Sequence, residues 1–260
     1  CAVRTIEQTS GKVTGVITEQ GRVHCGAVVC ATGAWTSLLL RNLGIDLPQL
    51  MVRVTVSRTA EAPNIGNVNA ADHGMSFRRR QDGGYTVALC DYHEHFIVRD
   101  SWKYLTKFLK SFAASYQDTK LRFLPDETAV QPAFEMWDAD KESPFERRRV
   151  LNPSPDSYAT KTIRKRLDER FPALHSVPLT ETWAGMIEST PDVVPVLDEV
   201  PGNTGLFVAT GFSGHGFGIG PGAGRVMADL ILGNEVGHKM DRFRFNRFSD
   251  GSPLILGPAL

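Results

Sequence analysis

The sequence predicts a mixed fold, α+β grading into α/β, in which a mostly antiparallel sheet is flanked by helices. Three patterns predict it. Strand-type alternation opens the chain at Ala2-Val3-Arg4-Thr5-Ile6 and returns between Met51 and Cys90. Near the end, a glycine-rich loop joins an apolar strand to a helix.

With 260 residues, 42% of them hydrophobic, the chain can bury a sizeable core. Its 29 basic and 29 acidic residues balance, which leaves no global field to favour nucleic acid. The clusters Arg78-Arg79-Arg80 and Arg147-Arg148-Arg149 read as solvated strand ends or loops. No apolar run approaches the roughly 18 residues of a membrane span. The expected location is cytosolic, with association to the inner face of a membrane left open. Cys1, Cys25, Cys30 and Cys90 form no CxxC pair and suit reduced thiols. His24, Cys25 and Cys30 with His93 and His95 fit core packing better than a metal, because adjacent strand residues point to opposite faces. Since the sequence starts inside a strand pattern and without Met, residue 1 reads as a truncation or processing point.

Residues 2–8, 12–19 and 22–31 alternate as a three-stranded meander, broken at Ser10-Gly11 and Gln20-Gly21. The third strand runs into Ala31-Thr32-Gly33-Ala34-Trp35. Thr36 is expected to cap a short helix that Gly44 ends. Pro48 marks a transition. Beyond it Val52, Val54 and Val56 alternate with Arg53, Thr55 and Ser57, and a turn at Gln81–Gly84 leads into Tyr85, Val87 and Leu89. Alternation predicts one apolar face of Val52, Val54, Val56, Met75, Phe77, Tyr85, Val87 and Leu89. The opposite, polar face would hold Arg53, Thr55, Ser57, Ser76, Arg78, Arg80, Thr86 and Ala88. Asp100 is expected to cap a helix whose stripe of Trp102, Leu105, Leu109, Phe112 and Tyr116 packs on the apolar face. Residues 135–156, with Pro144, Pro153 and Pro155, read as an exposed excursion or lid. A helix over 157–170 follows, then extended chain over 180–196, a strand over 205–210 and a helix over 221–232.

The loop Gly211-Phe-Ser-Gly-His-Gly-Phe-Gly-Ile-Gly-Pro-Gly-Ala-Gly224 allows backbone to approach a planar ligand and to take positive φ. Pro221 is expected at the first helical position, so that the helix N-terminus faces an electron-rich acceptor. Gly218-Ile-Gly220-Pro-Gly222-Ala223 formally satisfies GxGxxG/A. The strand and acidic residue that a pyrophosphate site requires do not follow it, so that reading is set aside.

Trp183-Ala-Gly-Met-Ile-Glu-Ser-Thr-Pro-Asp192, Pro195 and Gly205 through Arg225 together resemble the C-terminal signature of the D-amino-acid oxidase and dehydrogenase superfamily. That group of FAD enzymes includes glycine oxidase, sarcosine oxidase, D-amino-acid dehydrogenase, and opine and hydroxyproline dehydrogenases. Val28 through Trp35 is similar to the superfamily's second FAD motif. The family's N-terminal glycine fingerprint has no match here. The resemblance implies an incomplete FAD-binding domain (1–47), a substrate-binding domain (48–180) and a C-terminal FAD-binding segment (181–260). It implies oxidation of an amine or amino acid, as in amino-acid catabolism, by hydride transfer to flavin with later hydrolysis of an imine. It assigns cofactor contacts to Thr32, Gly33, Trp35, Gly185, Gly211, Phe212, Ser213, Gly214, His215, Gly216, Phe217, Gly218 and Ile219, with His215 also the catalytic candidate.

Sarcosine oxidases place a flavin-linked cysteine where Gly185 stands and an oxygen-activating lysine where Gly218 stands. The resemblance therefore implies non-covalent FAD and favours a dehydrogenase that passes electrons to a quinone or carrier over an oxidase using oxygen. Glycine oxidase has its substrate arginine at the position of Ile187, so a carboxylate partner is sought on the polar sheet face, first at Arg78 and then at Arg53. A non-catalytic fragment or flavoprotein subunit, working with a further subunit or an upstream segment, is the rival expectation.

Overall fold

Three sheets organise the chain in the computed structural model, which describes residues 1–123 and 136–258. β1 (Val3–Thr9), β2 (Lys12–Thr18) and β3 (Gly21–His24) form the expected antiparallel meander. The predicted third strand divides, however. At Cys25-Gly26-Ala27 the chain leaves this sheet, and β4 (Val28–Cys30) pairs in parallel with a strand from the far end of the chain. Gly205 explains the exchange: its φ is +85°, and a Cβ there would lie 2.4 Å from the Gly26 carbonyl oxygen, so the two backbones cross in contact. A 3-10 turn, Gly33–Trp35, leads into α1 (Thr36–Asn42), whose N-cap is Trp35 and not Thr36, the first helical residue, and which Gly44 ends at φ +75°.

The middle sheet contains β5 (Leu50–Thr59), β6 (Asn69–Ala71), β7 (Ser76–Arg79), β8 (Tyr85–Ala88) and β9 (His93–Phe96). α2 (Arg99–Lys103) and α3 (Leu105–Ser115) then precede β10 (Thr119–Arg122). α4 (Pro144–Arg147) and α5 (Ser157–Arg170) lead back to β11 (Leu179–Ser189), which lies antiparallel along the whole of β5. The other edge of β5 is shared, with β9 at Arg53 and β8 at Val56–Arg58. The third sheet is β12 (Val196–Glu199), β13 (Leu206–Thr210) and β4, covered by α6 (Gly216–Leu232) through Ala223, Val226 and Met227.

Register corrects the predicted faces of the middle sheet. Ser57 lies opposite Val87, and Phe77 also lies opposite Val87, so Arg53, Thr55, Ser57 and Thr59 share a face with Phe77, Tyr85 and Val87. Alternation within a strand is local, and a one-residue offset between strands exchanges every side chain. This combined face is the covered one. Ala159, Ile163 and Leu167 of α5 pack on Met75, Tyr85, Val87 and Leu89, and the Asp156 amide donates to Thr55 Oγ1 at 2.9 Å. Asp156 also caps α5 by accepting from the Ala159 amide at 2.8 Å. Val52, Val54 and Val56 occupy the opposite face, beside Trp183, Gly185 and Ile187 of β11.

The Trp102–Tyr116 stripe does not pack on the sheet. The chain turns at Tyr104 between α2 and α3, and the residues facing inward are Ser101, Tyr104, Phe108, Ser111 and Ser115, while all five stripe residues are exposed. Val98, not Asp100, is the N-cap, and Asp100 pairs instead with Arg41. Residues 136–156 are not an excursion either. Trp137 is buried and donates from Nε1 to the Arg4 carbonyl at 2.7 Å, and Ser143 and Glu146 form a capping box that opens α4. Arg4 holds Glu146 at 2.7 Å. The segment is thus a strap fastened to the first sheet and α1, whose core it completes with Trp137.

Candidate cofactor and substrate site

β4 and β13 are neighbouring parallel strands, and the loops leaving their C-terminal ends meet. This is the side of a parallel pair on which ligands bind in open α/β sheets. Thr36 Oγ1 donates to Thr210 Oγ1 at 3.1 Å, and Gln49 Nε2 donates to both Thr210 Oγ1 and the Gly33 carbonyl at 3.1 Å. Thr32 Oγ1 lies 3.1 Å from Thr36 Oγ1. These buried contacts lock Thr32-Gly33-Ala34-Trp35 to the start of the glycine loop. Gln49 and Thr210 were not singled out by sequence, and Thr36 was read only as a helix cap, because their partners lie up to 177 positions away.

In the glycine loop positive φ is confined to Gly211 (+77°), Ser213 (+50°) and Gly214 (+79°). Gly211 is also a close approach, since a Cβ there would lie 2.5 Å from Thr190 Cγ2. A Cβ on Gly214 would sit 3.5 Å from Ile187 Cδ1, which sets the loop against β11. The Phe212 amide donates to Glu188 Oε1 at 3.3 Å. α6 begins at Gly216, five residues before the predicted start, so Gly216 and Gly218 are helical and Pro221 lies inside the helix. Pro221 is tolerated there because it is still close to the N-terminus and follows a glycine with no side chain to crowd its ring. His215 is the N-cap residue, without a side-chain capping bond.

At Gly218, Gly220, Gly222 and Gly224 nothing stands within 4 Å of where a Cβ would be, and the same is true of Gly33 and Gly185. Phe217 and Ile219 are exposed beside them. A bare glycine helix start with no side-chain cap, next to a second strand-to-helix turn, suits a flat, electron-rich ring and its dipole-facing edge. The residues fit FAD.

The two arginines proposed for a carboxylate stand elsewhere. Arg53 lies on the face that α5 covers, where its Nε donates to Glu94 Oε2 at 2.7 Å and its Nη1 to the Ser154 carbonyl at 3.0 Å. Glu94 also accepts from Arg122 Nε at 2.6 Å, and Arg122 reaches Asp156 Oδ2 at 2.9 Å. Arg53 is therefore part of a buried ion network that fastens β9 and β10 to α5. Arg78 is on the other face, opposite Thr86, which is itself opposite Arg58. Arg58 is six residues along β5 from Val52, or about 20 Å at strand rise, so Arg78 is far from Ile187 and the glycine loop.

A groove does open at Leu50 and Val52, at the end of β5 that pairs with Ile187 and Ser189 of β11. Val52 pairs with Ile187 across β5 and β11, and from Leu50 and Val52 a cavity of about 410 Å³ extends between the sheet and α3. His95, Phe108, Phe112, Leu121 and Ser189 help line it. His93 Nε2 bonds to Thr119 Oγ1 at 2.7 Å, while His95 Nδ1 and Nε2 bond to the Met51 carbonyl and Ser101 Oγ at 2.8 and 2.9 Å. Burial pushes both imidazoles below the ordinary histidine range, so both are held neutral. Among the described residues no cluster of His, Cys, Asp and Glu could hold a metal ion, and the four cysteines are free thiols.

Between β11 and β12, Val193 takes φ +59°, a rare conformation for a β-branched residue. Thr190 Oγ1 donates to the Val194 carbonyl at 2.8 Å, and Asp192 pairs with Arg247 at 2.8 Å, both members of the pair buried. This clamp fixes the end of β11, and with it Ile187 and Thr190 under the loop.

Two strand-to-helix turns meet beside a half-open antiparallel sheet. Residues 1–230 match the family model described as FAD dependent oxidoreductase (DAO), and the chain belongs to that family. It is 23% identical over 235 residues to glycine oxidase of Pseudomonas putida, an alignment covering 90% of this chain and 49% of that protein. Among solved structures it is similar to the L-amino acid deaminase of Proteus vulgaris (TM-score 0.85, 28% identity, 95% of this chain and 57% of that one). It is also similar to the L-amino acid deaminase of Proteus myxofaciens in complex with anthranilate (TM-score 0.86, 29% identity, 96% and 56%). The chain thus spans about half the length of the curated relatives it matches.

Proposed function

We propose that this chain forms part of an enzyme that oxidises an amino acid or related amine with non-covalent FAD. The carrying observation is continuity. Gly214 rests on Ile187, Ile187 pairs with Val52, and Val52 opens the apolar groove. A cofactor ring on the glycine turn and a substrate side chain in the groove would then be neighbours.

Bound FAD supplies the acceptor for a hydride from the carbon bearing the amine, and water hydrolyses the resulting imine. The chain supplies positioning and charge. The amides of Gly216 and Phe217 and the positive end of the α6 dipole would face the negative charge of the reduced ring, with His215 at the mouth of that turn, while the Gly218 and Ile219 amides donate to the His215 carbonyl at 3.1 and 3.2 Å. The neutral His93 and His95 add no charge to the groove, whose Leu, Val and Phe lining excludes water and selects an apolar side chain. Glycine at 185 offers no nucleophile for a covalent link, and Gly218 offers no amine to oxygen. Both favour a dehydrogenase working from the cytosol, of the kind that D-amino acid dehydrogenases represent, with a quinone or carrier as acceptor. The Proteus myxofaciens protein, whose complex holds an aromatic carboxylate, supports a bulky substrate.

The test uses the protein as its gene encodes it. Purified protein should carry a flavin spectrum that bleaches anaerobically with amino acids, fastest with large apolar side chains. A flavin that stays oxidised with every amino acid and amine tried would overturn the reading in favour of a non-catalytic binding polypeptide.

A further inference from the structure

We propose that the segment Leu256-Gly257-Pro258 is a specificity wall, which closes the groove at the end nearest the glycine loop and limits branching at the substrate carbon next to the one bearing the amine. All three residues line the groove. Leu50, Ser189 and Val193 line it at the same end, since Leu50 pairs with Ser189 and Gly257 lies against Val193. The segment belongs to no helix or strand, so its place is set by tertiary contacts. Leu254 packs on the core shared by the first sheet and α1, and Arg242 Nη2 donates to the Ile255 carbonyl at 2.7 Å. Gly257 is fixed from the other side. Its amide donates to the Asp192 carbonyl at 2.7 Å, and a Cβ there would lie 2.8 Å from the Val193 carbonyl oxygen and 3.2 Å from Val194 Cγ2. Only a residue without a side chain lies flat on that turn.

The turn that carries the wall also carries the loop. Thr190 stands 2.5 Å from where a Gly211 Cβ would be, and Ser213 Oγ donates to Ser189 Oγ at 3.4 Å. The buried Asp192–Arg247 pair holds both in place. The role of the wall rests on the reaction proposed above, which puts the reacting carbon at the glycine loop. A substrate side chain then enters the groove past Leu256, and its first carbon meets the wall. A methyl branch on that carbon needs room that Leu256 occupies. One methylene in an apolar pocket changes a rate by roughly 10- to 200-fold, so a wall at this point discriminates strongly.

The test uses the gene-encoded protein with its Leu256→Ala and Gly257→Ala variants. The specificity constant kcat/KM is measured on valine against norvaline and on isoleucine against norleucine, each in both enantiomers. Leu256→Ala opens the wall and Gly257→Ala pushes it off Val193, so both should raise the branched-to-unbranched ratio about tenfold. Leu256 is only half-buried, so Leu256→Ala should melt close to the wild type and decides the case if Gly257→Ala does not fold. A second readout needs no turnover. Trp102 lines the groove, so tryptophan fluorescence can follow titration with 3-methylbutanoate and pentanoate, the deaminated counterparts of valine and norvaline, and the ratio of their dissociation constants should shift the same way. Turnover with unchanged ratios overturns the wall and leaves the reaction standing. A wild type without turnover whose titration ratio still shifts in the variants overturns the reaction and keeps the wall, whereas flat or unshifted titrations overturn both.

Discussion

At the scale of single residues, the glycines of the loop fall into two kinds that one pair of substitutions separates. Gly211 needs its missing side chain for the fold itself, because φ is +77° and Thr190 stands against it. Gly211→Ala should lower stability by about 1–3 kcal/mol, measured by denaturant unfolding without cofactor. Gly218 is helical and open, so Gly218→Ala should raise stability by up to about 1 kcal/mol through helix propensity. If the bare backbone is where FAD lies, the same variant of the gene-encoded protein should release flavin on dilution more readily than the wild type. A gain in stability with flavin retention unchanged would place the cofactor elsewhere. The buried Asp192–Arg247 pair makes a third case. Either Asp192→Ala or Arg247→Met alone strands the other charge and should cost about 3–5 kcal/mol, while the double variant should lose less than the two single losses combined.

At the scale of elements, β9 carries a titration that stability should report. His93 and His95 alternate with Glu94, so the histidines face the groove while Glu94 faces α5 and the arginines. The buried imidazoles resist protonation, whereas the unfolded chain takes up those protons near pH 6.5. The unfolded state therefore binds more protons, and the histidine contribution is present above about pH 6.5 and lost as pH falls through the window just below it. Melting temperature should drop on mild acidification, and His93→Gln with His95→Gln should flatten that drop. Glu146 and Glu19 act in a separate range. The guanidiniums of Arg4 and Arg149 hold their carboxyls down to about 2, so their losses come only as pH falls below the ordinary carboxylate value.

For the whole molecule, the same architecture sets how tightly this chain can hold its cofactor. Its glycine turn and the Thr32–Trp35 turn can flank a ring, but α6 is followed, among the described residues, by 3-10 turns around Asp241–Phe243 and Phe245–Phe248 and not by a strand. Nothing in that region supplies a pyrophosphate loop. A fluorescence titration of these 260 residues with FAD should show binding weaker than micromolar, and submicromolar binding would show that the pyrophosphate finds a seat in the chain as it stands.

The sequence by itself determined the local elements: the meander, the turn at Gln81–Gly84, α5 to the residue, and the strand, glycine turn and helix near the end. Each is set by period, capping or turn chemistry within a few residues. It also carried the family resemblance, because the two strand-to-helix turns are short contiguous motifs. Only tertiary structure decided what depends on distant pairing. Val28–Cys30 left the meander for β13 because Gly205 and Gly26 cross in contact. Arg53 turned to α5 because β5 and β8 pair one residue out of the expected register, and a pleat admits no intermediate position. The α3 stripe shows the same limit from the other side. Spacing groups Leu105, Leu109, Phe112 and Tyr116 on one side of a helix, but it does not show that the chain breaks at Tyr104 or that Leu105, Leu109 and Phe112 border a groove opposite Leu50 and Val52.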